Sequence, residues 1–315
     1  MEQFRTILSR PKDSFKIAYS DKIMLSGSCF AEHMATKLQE RKFSVLSNPY
    51  GILFNPISLF QSFQEIINQR LYKEQDLVFY DELEHSMNHH SRFSGTNPTK
   101  VVGEINRQIQ VASDFLQDAK VLFLTFGTAW VYRYDGSIVA NCHKIPNHQF
   151  EKELLDIHTI VDSFYTMYDQ LKIFNPNLQV VFTLSPVRHI KDGIEENSVS
   201  KAILRTAIHQ LSQENKQVNY FPAYELLMDD LRDYRFYNAD MLHPNEQAID
   251  YVWAYFKDCY FASETQDIIQ RVEKLEAAIN HKPRFPESAA YQKHLAFIEK
   301  EKKALGGYYD FLKWQ

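Results

Sequence analysis

From residue 22 to about residue 262, apolar runs of strand length alternate with longer segments whose apolar residues recur at helical spacing. The clearest strand is Lys120-Val121-Leu122-Phe123-Leu124-Thr125-Phe126, which ends at Gly127. Comparable runs lie at 22–26, 43–47 and 180–184, with a weaker one at 218–223. Helix-period segments fall between them at 30–38, 57–71, 101–119, 159–174 and 198–216. Such alternation predicts an α/β fold, a three-layer α/β/α sandwich whose mostly parallel sheet is covered on both faces. Open sheets of this kind put ligand contacts at the carboxyl ends of their strands. The residues that follow each apolar run are therefore the ones to read for function.

Residues 72–100 interrupt the alternation and read as an insertion near the pocket, with His85, His89 and His90 beside Arg92. Val131-Tyr132-Arg133-Tyr134, Asp135-Gly136 and Ser137-Ile138-Val139-Ala140 read as a hairpin through an Asp-Gly turn. Beyond Ser263 the chain turns to two charged amphipathic segments, 264–282 and 287–304, around Lys282-Pro283-Arg284-Phe285-Pro286. The expected organisation is a domain over 1–262 and a helical appendage over 263–315.

Charge and cysteine content exclude several classes. The formal net charge is −5 and no long basic block occurs, which disfavours a nucleic-acid partner. No run of about eighteen apolar residues is present, so no membrane span is expected. The first eleven residues lack the apolar stretch of a leader peptide. Three widely spaced cysteines, Cys29, Cys142 and Cys259, argue against a disulfide framework and point to a reduced, cytoplasmic protein. The histidine-rich insertion, with His143, admits a metal hydrolase, but no Cys or carboxylate sits at a spacing that completes a tetrahedral site. No metal or cofactor is expected.

The first strand run reaches Gly27, and Ser28 and Cys29 follow immediately before a helix. Strand, glycine, nucleophile-type side chain, helix is the geometry of a nucleophile elbow, where helix N-terminal amides can stabilise negative charge. The plain alternative makes Ser28 a helix N-cap. A partner lies more than two hundred residues on, in Asp240-Met241-Leu242-His243. A carboxylate three residues before an imidazole can orient it as a general base; the plain alternative is a turn Asp and a helix-start His. Pro244 suits the first position of the helix that follows. Gly51 and Gly127, at two other strand ends, offer backbone donors for an oxyanion.

Gly27-Ser28-Cys29-Phe30-Ala31 spells the name-giving motif of the GSCFA domain family, which resembles the SGNH/GDSL hydrolase superfamily. The resemblance spans roughly residues 20–260 and includes Asn48-Pro49-Tyr50-Gly51, Asn55-Pro56, Gly127-Thr128, Asn141-Cys142-His143-Lys144, Ser185-Pro186-Val187-Arg188-His189 and Asp240-Met241-Leu242-His243-Pro244. It implies a flavodoxin-like sheet, Gly51 as an oxyanion donor, and Asp240 with His243 as the acid–base pair. Two departures follow. The nucleophile of the Gly-Asp-Ser elbow lies two residues after the glycine, and here that residue is Cys29; the other register makes Ser28 the nucleophile. The Asn of the third block is absent after Gly127, so the oxyanion hole needs another donor, for which Asn55, His143 and Arg188 are candidates beside their plain reading as structural or surface residues.

These residues support an esterase, deacetylase or acyltransferase acting on a small-molecule or carbohydrate acyl substrate through an acyl-enzyme. A thiol at a helix N-terminus beside His243 would have a lowered pKa. The competing reading is a catalytically silent module that binds a glycan or acyl group. Separation of both Ser28 Oγ and Cys29 Sγ from the His243 ring by more than about 4 Å would favour it.

Overall fold

The computed structural model describes residues 5–10 and 15–307. The expectations for the first eleven residues and for 308–315 of the appendage fall partly or wholly outside them.

In chain order the elements are β1 (Lys22–Gly27), α1 (Cys29–Glu40), β2 (Val45–Ser47), α2 (Pro56–Ile67), β3 (Val78–Tyr80), β4 (Leu83–His85), α3 (Pro98–Gln117), β5 (Ala119–Phe126), β6 (Trp130–Tyr134), β7 (Ser137–Val139), β8 (Glu151–Leu154), α4 (Ile157–Phe174), β9 (Gln179–Leu184), α5 (Ile194–Glu214), β10 (Val218–Phe221), α6 (Ala223–Glu225), α7 (Glu246–Tyr260), α8 (Ser263–Ile279) and α9 (Ala289–Gly306). The main sheet has the order β10-β9-β5-β1-β2 and every pairing in it is parallel. The chain starts in β1, adds β2 on one side, then crosses back to build β5, β9 and β10 on the other. This is a doubly wound sheet whose switch point lies between β1 and β5, where such sheets open a crevice.

Both faces of β1, β5 and β9 are buried, which explains their unbroken apolar runs. Met24, Leu122, Leu124, Phe126 and Phe182 pack on one face with α2 to α5, while Ile23, Leu25, Phe123 and Val181 pack on the other with α1 and α7. Ile269, Val272 and Leu275 of α8 and Ile298 and Leu305 of α9 join this second cluster. Truncating one such side chain, Phe126 for instance, removes a fully buried ring, a loss of about 3–5 kcal/mol.

The 72–100 segment holds the antiparallel pair β3–β4, and its anchor is a carboxylate. Glu65 of α2 is buried and accepts from Tyr50 Oη and Tyr72 Oη at 2.8 Å each and from Arg70 Nη1 at 2.6 Å. The Asp-Gly hairpin forms as β6–β7, with φ of 47° at Asp135 and 75° at Gly136. Its third strand, β8, has no counterpart in the sequence reading; Glu151–Leu154 pairs with β6 and is half solvated. Pro244 does not open α7. Asn245 is the N-cap, its Oδ1 accepting from Ala248 N at 3.1 Å, and Pro244 instead bridges to Tyr237. No described helix is long and apolar enough to cross a membrane.

Candidate active site

β1 ends in a glycine because nothing else fits there. Gly27 has φ +135°, and a Cβ on it would lie 2.1 Å from Thr125 O on the neighbouring strand. The next residue, Ser28, is buried and caps α1, its Oγ accepting from Phe30 N at 3.4 Å while its own N–H donates to Thr125 O at 3.2 Å. Cys29, the first helical residue, is the one position between Ile23 and Ala31 that is not buried. Phe30, Ala31, Met34, Ala35 and Leu38 turn into the core, which leaves Cys29, Glu32 and His33 along the upper side of α1.

The thiol is not acidified, contrary to the expectation for a helix N-terminus. Burial pushes the Cys29 pKa up; its own backbone N–H opposes this, and the Glu32 carboxylate adds to the rise. Burial also lowers the pKa of His33, with Glu32 opposing and His243 and Lys37 reinforcing the shift.

Asp240 and His243 form a pair in an exposed loop. Asp240 Oδ2 meets His243 Nδ1 at 2.6 Å, and Oδ1 accepts the backbone N–H of Leu242 at 2.9 Å and of His243 at 3.0 Å. Those backbone donors, with the imidazole, hold the Asp240 pKa at about 2. The loop is pinned by Asn238 N donating to His243 O at 2.8 Å and by Met241 at φ +58°. With Nδ1 committed to the carboxylate, Nε2 is the nitrogen that can take a proton from a substrate or nucleophile. No hydrogen bond joins His243 to Ser28 or Cys29. The ring sits near enough to His33 and to His189 for its charge to bear on both.

Three of the residues expected to hold an oxyanion are spent elsewhere. Gly51, at φ +79°, donates its N–H to Asn48 O at 2.8 Å, and its bare Cα accommodates His90, whose Cβ would lie 2.2 Å from an added Cβ. Gly127 donates to Phe54 O at 2.7 Å. Asn55 caps α2, accepting from Ser58 N at 2.8 Å and donating to Ser58 Oγ at 3.0 Å. These amides answer to local turns and caps.

His143 and Arg188 also lie off the dyad. His143 is buried, bonded through Nε2 to Ser86 O at 2.8 Å, and packs its ring on His85 at 4.6 Å. Burial lowers its pKa to about 4 and that of His89 to about 3. His85 is held by Ser94 Oγ and Tyr80 O, and His89 by Ser86 Oγ and the face of Tyr50. The histidine cluster thus secures the insertion to the Gly51 turn. Among the described residues no group of three or more His, Cys, Asp or Glu is placed to hold a metal ion. Arg188 lies across the rings of Tyr234 and Tyr237.

Residues the sequence reading passed over organise this end of the sheet. Asn48 is buried at φ +45° and accepts Gly27 N–H on Oδ1 at 2.8 Å, tying the end of β1 to the loop after β2. Its Nδ2 is buried and has no hydrogen-bond partner among the described residues. The motif Asn48-Pro49-Tyr50-Gly51 was the available signal. Arg92 Nη2 donates to Asn48 O at 2.6 Å. Lys201, 2% exposed on α5, donates to Gly127 O at 2.6 Å and Ser185 O at 2.7 Å, clamping the loops after β5 and β9. No periodic signal marks it, because a lysine among the buried positions of a helix looks like a solvated one.

Burial lowers the Lys201 pKa from 10.5 to about 7. Between these values the unfolded chain binds the extra proton, so stability contributed at this site rises with pH. In urea melts at pH 7 and pH 9, the stability of the parent relative to Lys201→Met is expected to grow by about 2 kcal/mol. A difference that stays constant over that window contradicts the assignment.

None of the curated proteins compared with the chain matches it. Among solved structures, a carbohydrate esterase family 3 protein from Talaromyces cellulolyticus superposes with TM-score 0.38 and 8% identity over 81% of this chain and 99% of its own. A family 3 carbohydrate esterase from Clostridium thermocellum gives 0.36 and 13% over 80% and 98%. An acetyl xylan esterase from Butyrivibrio proteoclasticus gives 0.37 and 11% over 77% and 65%. Superposition at that level says nothing about what this chain does. The GSCFA family model, by contrast, matches residues 22–256, from the start of β1 into α7. The chain belongs to the GSCFA family.

Proposed function

We propose that this protein is an acyl-ester hydrolase or acyltransferase that works through a thioester on Cys29. The observation that carries the reading is the Asp240–His243 pair, with Nδ1 bound to the carboxylate at 2.6 Å and the imidazole close enough to α1 for its charge to bear on His33. Cys29 is preferred to Ser28 because it is the accessible member of the two, while Ser28 Oγ is occupied as a helix cap.

In the proposed step, His243 Nε2 takes the thiol proton as Sγ bonds to the acyl carbonyl carbon. The tetrahedral intermediate collapses by expelling the alkoxide, which receives that proton. Water, or the hydroxyl of an acceptor, then attacks the thioester with His243 again as base, and the thiol is restored. Because the resting thiol has a raised pKa, the proton must leave in step with attack rather than beforehand. The oxyanion donors are the Cys29 N–H at the start of α1 and Asn48 Nδ2, which has no other partner among the described residues. Hydrogen bonding between Cys29 and His243 is completed when substrate enters, as catalytic contacts often tighten only in the complex.

Turnover of a chromogenic acetyl ester tests the reading: the double variant Ser28→Ala/Cys29→Ala is expected to fall to the uncatalysed background. Parent-like turnover by that variant sinks it. The reading of a silent binding module draws on one observation, the lack of a hydrogen bond between the dyad and either elbow side chain. It predicts that parent and variant are equally inactive.

A further inference from the structure

The loop after β9 faces two ways. His189 turns toward Gly127 and Phe54, with its N–H held by Asn197 Oδ1 at 2.9 Å. Arg188, its neighbour, lines a separate cleft of about 330 Å³ with Tyr224, Tyr234, Tyr237, Arg232 and Asn197. That volume is in the range of small-molecule sites. The Asp240–His243 loop begins directly after Tyr237, and the charge of His243 bears on His189. The cleft therefore lies beside the Asp240–His243 loop, which leaves its wall at Tyr237.

Its electrostatics are unbalanced. Arg188 has no carboxylate partner among the described residues. Its guanidinium carbon lies 5.4 Å from the Tyr234 ring centroid and 4.9 Å from that of Tyr237, Nη1 donates to Tyr234 Oη at 3.3 Å, and Nε is buried without a partner. Arg232 forms no ion pair with any described residue, and it stands in the left-handed region, at φ +36°, with its N–H tied to Leu227 O at 3.1 Å. A bulky side chain in that conformation is strained. The one acidic residue lining the cleft, Asp233, is spent on Arg235 at 3.0 Å and on the Arg235 backbone N–H at 2.8 Å. Tyr234 is 61% exposed and offers a ring face at the rim. Two uncompensated guanidinium forks match a planar or tetrahedral oxyanion, and an exposed aromatic face matches a sugar ring.

We propose that this cleft binds an oxyanion-bearing sugar, with its carboxylate or phosphate on Arg188 and Arg232 and its ring against Tyr234. If the acyl-transfer reading holds, this is where the non-reacting part of the substrate or acceptor rests. The binding claim stands independently of that reading.

Calorimetric titration of the parent with glucuronate, glucose 6-phosphate, glucose and inorganic phosphate tests it. At least one sugar anion is expected to bind about 10-fold or more tighter than glucose, with affinity falling about 10-fold or more in both Arg188→Lys and Arg232→Gln. It should also bind more tightly than inorganic phosphate. Selective binding of glucuronate assigns a carboxylate site and selective binding of glucose 6-phosphate a phosphate site. Arg232 is exposed, so its variant reports on binding without a large cost in folding. Cys29→Ala is expected to bind as the parent does, so loss of esterase chemistry and loss of this site are read separately. Equal binding of all four probes, no binding of either sugar anion, or unchanged affinity in both arginine variants overturns the proposal.

Discussion

Gly27→Ala is expected to lower the melting temperature by roughly 10 °C or to leave no folded protein at all. An added Cβ would lie 2.1 Å from Thr125 O and 2.9 Å from Thr125 Cβ. Neither can retreat: Thr125 belongs to β5, whose pairing with β1 brings Thr125 opposite Gly27, and Thr125 O already accepts Ser28 N–H. The φ of +135° adds conformational strain for any residue with a side chain. Steric clash and strain together exceed about 3 kcal/mol, a large part of an ordinary stability of 5–15 kcal/mol. A thermal melt by circular dichroism reads the effect. Gly136→Ala, where an added Cβ meets nothing within 4 Å although φ is +75°, separates backbone strain from the clash and is expected to shift the melt far less. Equal shifts in the two variants would mean that the close approach to Thr125 at the end of β1 is not what demands glycine.

His243→Ala is expected to reduce kcat/KM for an activated acetyl ester by at least about 10²-fold, and Asp240→Asn by a comparable factor. The asparagine can still accept from the Leu242 and His243 amides, which hold the loop, but it carries no charge opposite Nδ1. Because the two residues act as one unit, the double variant should be no worse than His243→Ala alone. The Asp240 pKa of about 2 keeps the carboxylate ionised at any working pH. Asp240 therefore contributes no step to the pH–rate profile in the neutral range. Both side chains are partly exposed, so melting temperatures close to that of the parent are expected. Additive losses, or melts that fall in parallel with activity, would assign the pair a structural role.

The layers of the sheet were legible because strands buried on both faces leave unbroken apolar runs: 120–126 and 180–184 lie within β5 and β9 with ends shifted by a residue. The strand–glycine–helix turn was legible because Gly27 and the helix behind it stand next to each other in sequence. Asp240 and His243 were legible for the same reason, since the contact between them spans three residues. What tertiary structure decides was not. The amides of Gly51 and Gly127 looked available, yet they are committed to Asn48 and Phe54, and no spacing rule reports that. The Cys29 thiol looked acidified by its helix, but burial outweighs the helix end. Lys201 and Glu65 carry charges that exposed helix positions carry equally often, and only packing reveals that they clamp loops from within. β8 escaped notice because Glu151–Leu154 is polar along its length and pairs at a solvated edge.

The most direct measurement is mass spectrometry of the protein quenched in acid moments after mixing with a chromogenic acetyl ester, followed by peptide mapping. One acetyl group on Cys29, formed within the first turnover and missing from Cys29→Ala, is the predicted result. Acetyl on Ser28, or no adduct alongside full turnover by Cys29→Ala, would contradict it.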